Sequence, residues 1–441
     1  MSGNVLRGPV LPSLIAIGVL AASVAGTIAL TGKDSTASAS SPTRTAPPPV
    51  RNAAWVVNGA HDAPSLSALT GFWIGPDVVV RGGVDGLHAM KRADGSPAWD
   101  LPAPGGGDVC GMSAGVDAGV GIVATQGTAQ TRVNAASECA VISAIDIASG
   151  KVLWTTPASM SFGDPDAGAA DYAAAGGMAI IDSDRATAGT GIVALDLKTG
   201  EQKWKHPGDC EHRPHAFAVS GTKVAIAEVC SGQPQATVKV LDAATGAEVP
   251  NAAVPAGAAM AGVSHPEIVS ADPVVAVDDG TTPKALSFGG VATPVAVSGL
   301  DGLMAALTAN AATRAQVGVG AGVLCAGGHQ AACWGADGKA VAPRGLPNAA
   351  AEHHDVYAVV GNADVARVVT TGVPGHPRAS LCRVAGDGGV VVEADLSQAV
   401  SDYLGKSGNP GSYSVYGDAK DLFLLDPHPN GRAAVIDVRL G

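Results

Sequence analysis

Charge is scarce in this sequence. Asp, Glu, Lys and Arg make up 15% of its 441 residues, against about 25% in an average soluble domain. Cations are the scarcer kind, 27 Lys and Arg against 39 Asp and Glu, which gives a net charge of −12. A chain so poor in Lys and Arg is badly equipped to hold nucleic-acid phosphates. Aromatic residues reach only 4%, and long runs of helix formers are missing, which argues against a helical bundle. The seven cysteines include no adjacent pair and no C-x-x-C, so zinc and thiol-redox chemistry have little footing. H-E-x-x-H and the phosphate-binding G-x-x-x-x-G-K-[ST] are absent as well, and hydrolase and nucleotide readings lack support.

What is plentiful is small and turn-forming. Gly (59) and Pro (29) together fill about a fifth of the chain, short of the roughly 25–30% of a low-complexity disordered protein. Hydrophobic residues at 46% leave ample material for a large core. Short strands joined by frequent turns fit this balance.

One apolar run stands apart. Val10 to Leu30 carries no charge over 21 residues, and about 20 apolar residues in a helix span a hydrocarbon core of about 30 Å. A cleaved secretory signal needs an apolar stretch of only about 7–15 residues. The run therefore reads as a transmembrane signal anchor, with residues 1–9 cytoplasmic. Ala37-Ser38-Ala39 offers a cleavage site and keeps the cleaved alternative open. Arg7 and the terminal amine precede the span, while Lys33 and Asp34 cancel after it, so the remainder is expected outside the cytoplasm. Residues 31–52, rich in Ser, Thr, Ala and Pro, read as a linker.

An oxidising compartment suits the cysteines. Pairing successive cysteines gives Cys110–Cys139, Cys210–Cys230 and Cys325–Cys333 as disulfide candidates, with Cys382 left over.

The strongest signal is a repeat. Ala144-Ile145-Asp146-Ile147-Ala148-Ser149-Gly150-Lys151-Val152-Leu153-Trp154 returns as Ala194-Leu195-Asp196-Leu197-Lys198-Thr199-Gly200-Glu201-Gln202-Lys203-Trp204. A third copy runs from Val240 through Asp242 and Gly246 to Val249 without a tryptophan; an earlier one keeps Gly95 and Trp99. Each copy is a strand, a polar turn closed by glycine, and a second strand. Fainter turns at Gly290, Gly338 and Gly388, and a final copy read as Asp437 to Gly441, extend the series. Spacings between successive turn glycines lie between 44 and 55 residues, the period of four-stranded propeller blades. The last copy lacks its following strand, and Ala53–Val57 with Trp55 supplies a sequence to fill it. The expectation is an all-β propeller over residues 53–441. Eight blades is the natural count and seven the alternative, with the ring closed by an amino-terminal strand.

The pattern [VI]-x-A-[IL]-D-x-x-[ST]-G-x-x-x-W resembles the repeat of the quinoprotein (PQQ-like) β-propeller family. The resemblance implies that Trp99, Trp154 and Trp204 pack between neighbouring blades. Asp146, Asp196 and Asp242 belong to the repeat itself and read as turn stabilisers, beside Gly150, Gly200 and Gly246. Enzymes of that family set a vicinal disulfide against the quinone, and this sequence has no Cys-Cys pair. It therefore resembles the non-catalytic, BamB-like branch, with no cofactor, no resident metal and no enzymatic activity expected. A quinone- or metal-dependent dehydrogenase is the alternative. His206, Cys210, Glu211, His212 and His215 form one metal-ligand grouping, and Asp164, Asp166 and Asp171 another, each weaker than its reading as a solvated loop. The Ala/Gly/Val-rich composition and Ser/Thr/Pro tether resemble actinobacterial envelope proteins. That implies a scaffold on the outer side of the cytoplasmic membrane, with a membrane or envelope protein as partner. It also implies a glycolipid (mycolate) ligand serving envelope transport and growth.

Overall fold

The computed structural model describes residues 48–58, 69–83, 85–127, 141–157, 172–182, 191–206, 215–229, 235–250, 260–261, 266–271, 274–278, 286–288, 317–320, 323–326, 332–335, 340–341, 356–359, 366–370, 378–385, 389–405, 414–426 and 433–440. Among them the strands pair into eight sheets. The first sheet holds Gly71–Ile74, Val78–Gly83, Gly86–Lys91 and Pro97–Pro102. The second holds Val109–Met112, Val120–Thr125, Val141–Asp146 and Lys151–Pro157. The third holds Tyr172–Ala175, Met178–Asp182, Ile192–Asp196 and Gln202–His206. The fourth runs from His215–Ser220 to Met260–Ala261, and the fifth holds three described strands between Pro266 and Phe288. The sixth includes Val323–Ala326 and Ala332–Gly335. The seventh includes Ala366–Thr370, Ser380–Val384 and Val390–Leu396. The eighth holds Ser414–Gly417, Asp421–Leu425 and Ala433–Arg439.

Consecutive strands pair antiparallel within every sheet; only the amino-terminal segment departs from that rule. Ala53–Asn58 becomes the fourth strand of the eighth sheet, antiparallel to Ala433–Arg439. Just before it, Val50–Arg51 adds a parallel edge to Val390–Leu396 of the seventh sheet. Val50–Arg51 thus lies inside the segment that reads as linker. The pairing of Ala53–Asn58 gives Ala433–Arg439 a partner on both sides and moves the edge of the sheet out to Ala53–Asn58.

Burial follows from composition. Val120–Thr125 (VGIVAT) is buried at every position, because sheets packed on both faces favour continuous runs of small and β-branched residues. Outer strands such as Lys151–Pro157 are exposed or half-buried. Apolar clusters join the eighth sheet to the first, the first to the second, the second to the third and the third to the fourth. Others join the sixth to the seventh and the seventh to the eighth.

Two features differ from the sequence reading. A short helix, Gln398–Gly405, follows the seventh sheet; Val400 and Leu404, four residues apart, bury one stripe against the seventh and eighth sheets. The register of the final repeat also shifts. Leu440 N donates to Lys420 O just as Ile147 N donates to Gly119 O and Leu197 N to Gly177 O. Arg439, not Asp437, therefore occupies the place of Asp146, and Asp437 lies two residues earlier, inside the strand. Gly290, Gly338, Gly388 and Gly441 lie outside the described residues, as does the apolar run at 10–30. Among the described residues no helix is long and apolar enough to cross a membrane.

Candidate functional site

The joints between sheets repeat one device. Trp99 of the first sheet donates its indole N–H to Ile147 O of the second at 3.1 Å, and a Cβ on Gly150 would strike its ring at 2.6 Å. Trp154 donates to Leu197 O at 3.0 Å and covers Gly200; Trp204 donates to Ala243 O at 2.9 Å and covers Gly246. Trp55, from the closing strand, donates to Arg92 O at 3.0 Å and covers Gly95, which carries the series across the two ends of the chain. All four glycines hold φ between 70° and 74°, a region open to glycine and strained for other residues. The turn aspartates prepare this surface. Oδ1 of Asp146 accepts from Ser149 N, that of Asp196 from Lys198 N and Thr199 N, and that of Asp242 from Thr245 N. The backbone N–H of Thr199, with its side chain, holds the Asp196 carboxyl below its ordinary value. The repeat's Asp, Gly and Trp are therefore all occupied by turns and joints.

The joint between eighth and first sheets carries more. Phe72 meets Tyr416 and Phe423 at centroid distances of 5.3 and 5.4 Å, and Trp55 meets Phe423 at 6.1 Å. Arg92 lies over the Phe423 ring. Its guanidinium donates to Asp418 at 2.6 Å, to Asp421, and to Gly75 O at 2.9 Å. Burial lowers the affinity of Arg92 for its proton, but the bonds to Asp421 and Asp418 outweigh it and raise the group above its ordinary value. At the other end of the same face lies Arg81, 1% exposed. Burial brings it down to about 10, against the opposing charges of Asp85 and Asp426. His88, its cross-strand neighbour, sits between Asp100 at 2.8 Å and Asp85 at 3.2 Å.

Asp437 is the exception in this joint. Tyr416, Phe423, Asp437 and Trp55 stand directly opposite one another across the four strands of the eighth sheet. Where Trp99, Trp154 and Trp204 face Ala89, Ala144 and Ala194, Trp55 faces this carboxyl. Burial first, and the charge of Asp421 second, push it up to about 7 against the pull of Arg439 and Arg92.

Cys325 and Cys333 face each other across adjacent strands and form a disulfide. Cys110 is disulfide-bonded, and Cys139, Cys210 and Cys230 lie outside the described residues. Cys382 is free and buried in the cluster that contains the Cys325–Cys333 bridge. Of the histidine grouping, Cys210, Glu211 and His212 lie outside the described residues, as do Asp164, Asp166 and Asp171. Among the described residues no three His, Cys, Asp or Glu gather in a metal-binding group.

Gly111-Met112-Ser113-Ala114-Gly115 has the form G-x-S-x-G. Its serine is 2% exposed, its hydroxyl donates to Gly115 O and accepts from Ile122 N, and its carbonyl accepts from Trp73. It follows a strand and leads to another strand, without the helix that a nucleophile elbow requires.

Residues 103–299 match the family model described as outer membrane protein assembly factor BamB. Over those residues the chain carries PQQ-like repeats. BamB from Moraxella catarrhalis is similar in structure at a TM-score of 0.43 and 12% identity, covering 88% of this chain and 99% of its own. The hydrazine synthase of Kuenenia stuttgartiensis gives 0.41 and 14%, covering 87% and 98%. The computationally designed Ika4 protein gives 0.28 and 16%, covering 43% and 96%. No curated protein sequence matches the chain. Within the PQQ-like repeats, Trp154 and Trp204 with their turns fall inside the matched segment, whereas the joint at Asp437 lies outside it.

Proposed function

We propose that this chain is a non-catalytic PQQ-like propeller of eight blades that binds a protein partner on the extracytoplasmic side of a membrane. The apolar run at residues 10–30 holds it there as a single-pass anchor. One observation carries the scaffold reading: the repeat aspartates Asp146, Asp196 and Asp242 cap turns, within a segment that matches the family model of an assembly factor. Chemistry on the repeat would need carboxylates free to bind or transfer protons, and Asp146, Asp196 and Asp242 are already accepting backbone N–H bonds. The finer reading adds an envelope glycolipid of the mycolate type as cargo, in support of envelope growth.

Crosslinking in intact membranes with the full chain, followed by purification and mass spectrometry, tests this. A membrane or envelope protein enriched over a scrambled-span control is the expected result, and co-purified glycolipid separates cargo binding from pure scaffolding. Dye-linked oxidation of alcohols or sugars after addition of pyrroloquinoline quinone and calcium would overturn the reading in favour of the dehydrogenase.

A further inference from the structure

We propose that Asp437 is a proton-operated latch on the strand pair that joins the two ends of the chain: neutral, it holds Ala53–Asn58 in place, and ionised, it favours release of that strand.

Asp437 is 0% exposed and stands between Phe423 and Trp55, where alanine fills the corresponding place in the first three sheets. Neither carboxylate oxygen accepts a hydrogen bond. An ionised carboxyl without partners is among the most costly groups to bury, whereas its neutral form costs far less. The surrounding cations do not relieve it. Arg439, on the same strand, brings Nε only to 3.9 Å and donates elsewhere, to Ala93 O. Arg92, from the first sheet, is committed to Asp418, Asp421 and Gly75 O. From the neighbouring strand and its turn, Asp421 and Asp418 add negative charge that favours the neutral form further. The closing strand, AAWVVN, contributes no charge. At the far end of the joint lie Arg81, His88, Asp85, Asp100 and Asp426.

Release of Ala53–Asn58 uncovers Asp437 and returns it to an ordinary carboxyl. The closed form holds a proton that the open form gives up between its ordinary value of 3.8 and about 7. Closure is therefore strongest in acid and weakens as pH rises through that window, by up to about tenfold in the opening constant per pH unit. Above it the dependence levels off.

Hydrogen exchange of the full-length protein in detergent, followed by mass spectrometry from pH 5 to 8 and corrected for intrinsic rates, tests the latch. Peptides covering 53–58 are compared with those covering the equivalent outer strand, 151–157. The expected result is an opening constant at 53–58 that rises about tenfold per unit from pH 5 to 7, against no matching rise at 151–157. In Asp437→Asn, which keeps the shape, and Asp437→Ala, which restores the alanine of the other sheets, the slope disappears. Both variants leave His88 and its carboxylate partners Asp85 and Asp100 untouched. A flat wild-type profile, or a slope that survives in Asp437→Asn, overturns the proposal.

Discussion

Arg92 donates to Asp421 across 329 residues of sequence, so one guanidinium ties the third strand of the first sheet to the second strand of the last. Both side chains are largely buried, at 11% and 8% exposure. Removing one partner of such a pair leaves the other uncompensated, and Arg92→Ala is expected to cost about 2–4 kcal/mol in denaturant unfolding. Arg92→Lys recovers only part of that, because a single ammonium cannot reach two carboxylates and a carbonyl in the same geometry. Equal stability of Arg92→Ala and wild type would sink this account.

The same site has an acid limit. Burial raises Asp418, but the N–H groups of Lys420 and Asp421 and the bond from Arg92 outweigh it and hold the carboxyl below its ordinary value. A depressed carboxyl contributes stability above its unfolded value and loses it as pH falls through the folded one. The Arg92 contribution should therefore fade below about pH 4, opposite in sign to the effect at Asp437. Measuring the difference between Arg92→Ala and wild type at pH 3 and pH 7 checks it.

Gly150→Ala and Gly200→Ala are expected to destabilise by about 2–4 kcal/mol each, from a left-handed backbone and an overpacked ring together. Their added methyl would meet Trp99 at 2.6 Å and Trp154 at 2.9 Å. Pairing Gly150→Ala with Trp99→Ala separates the two causes. The double variant should recover the packing part and keep the backbone part, which a double-mutant cycle measures directly.

Much of this was legible in the sequence because it repeats. Trp99, Trp154 and Trp204, with their turn glycines, sit at one fixed offset, and a repeated offset in a propeller is a repeated contact. The missing outer strand of the last repeat pointed to Ala53–Val57, and the strand found is Ala53–Asn58. What does not repeat left no pattern to read. Arg92, Asp418 and Asp421 meet only because the first and last sheets are neighbours, a relation invisible to local spacing. Asp437 resembled a turn aspartate two residues out of register, and only the hydrogen bond from Leu440 N to Lys420 O reveals the slip. Trp73 belongs to no repeat position, yet it is fully buried and donates to Ser113 O at 2.9 Å. The helix at Gln398–Gly405 is too short to announce itself by period.

Two cysteine predictions concern the sixth and seventh sheets. Replacing Cys325 and Cys333 by alanine should cost about 2–3 kcal/mol, the value for closing so short a loop. Cys382 is pushed up to about 12, first by burial and then by Asp395 and Glu393, so its thiolate is all but absent at neutral pH. Iodoacetamide should leave Cys382 unlabelled in the folded protein and modify it after unfolding in guanidinium, as peptide mass spectrometry will register. Rapid labelling of the native protein would contradict the buried placement.

The pairing of Ala53–Asn58 with Ala433–Arg439 also sets a timetable. A polypeptide made amino end first presents this stretch of Ala, Trp and Val hundreds of residues before its partner is synthesised. Intermediate sheets can assemble as they emerge, while Ala53–Asn58 waits for its partner with its backbone groups unmatched. Contacts this distant in sequence form slowly. The interval before they form is when the nascent chain is most open to wrong pairings with its neighbours or to capture by a chaperone.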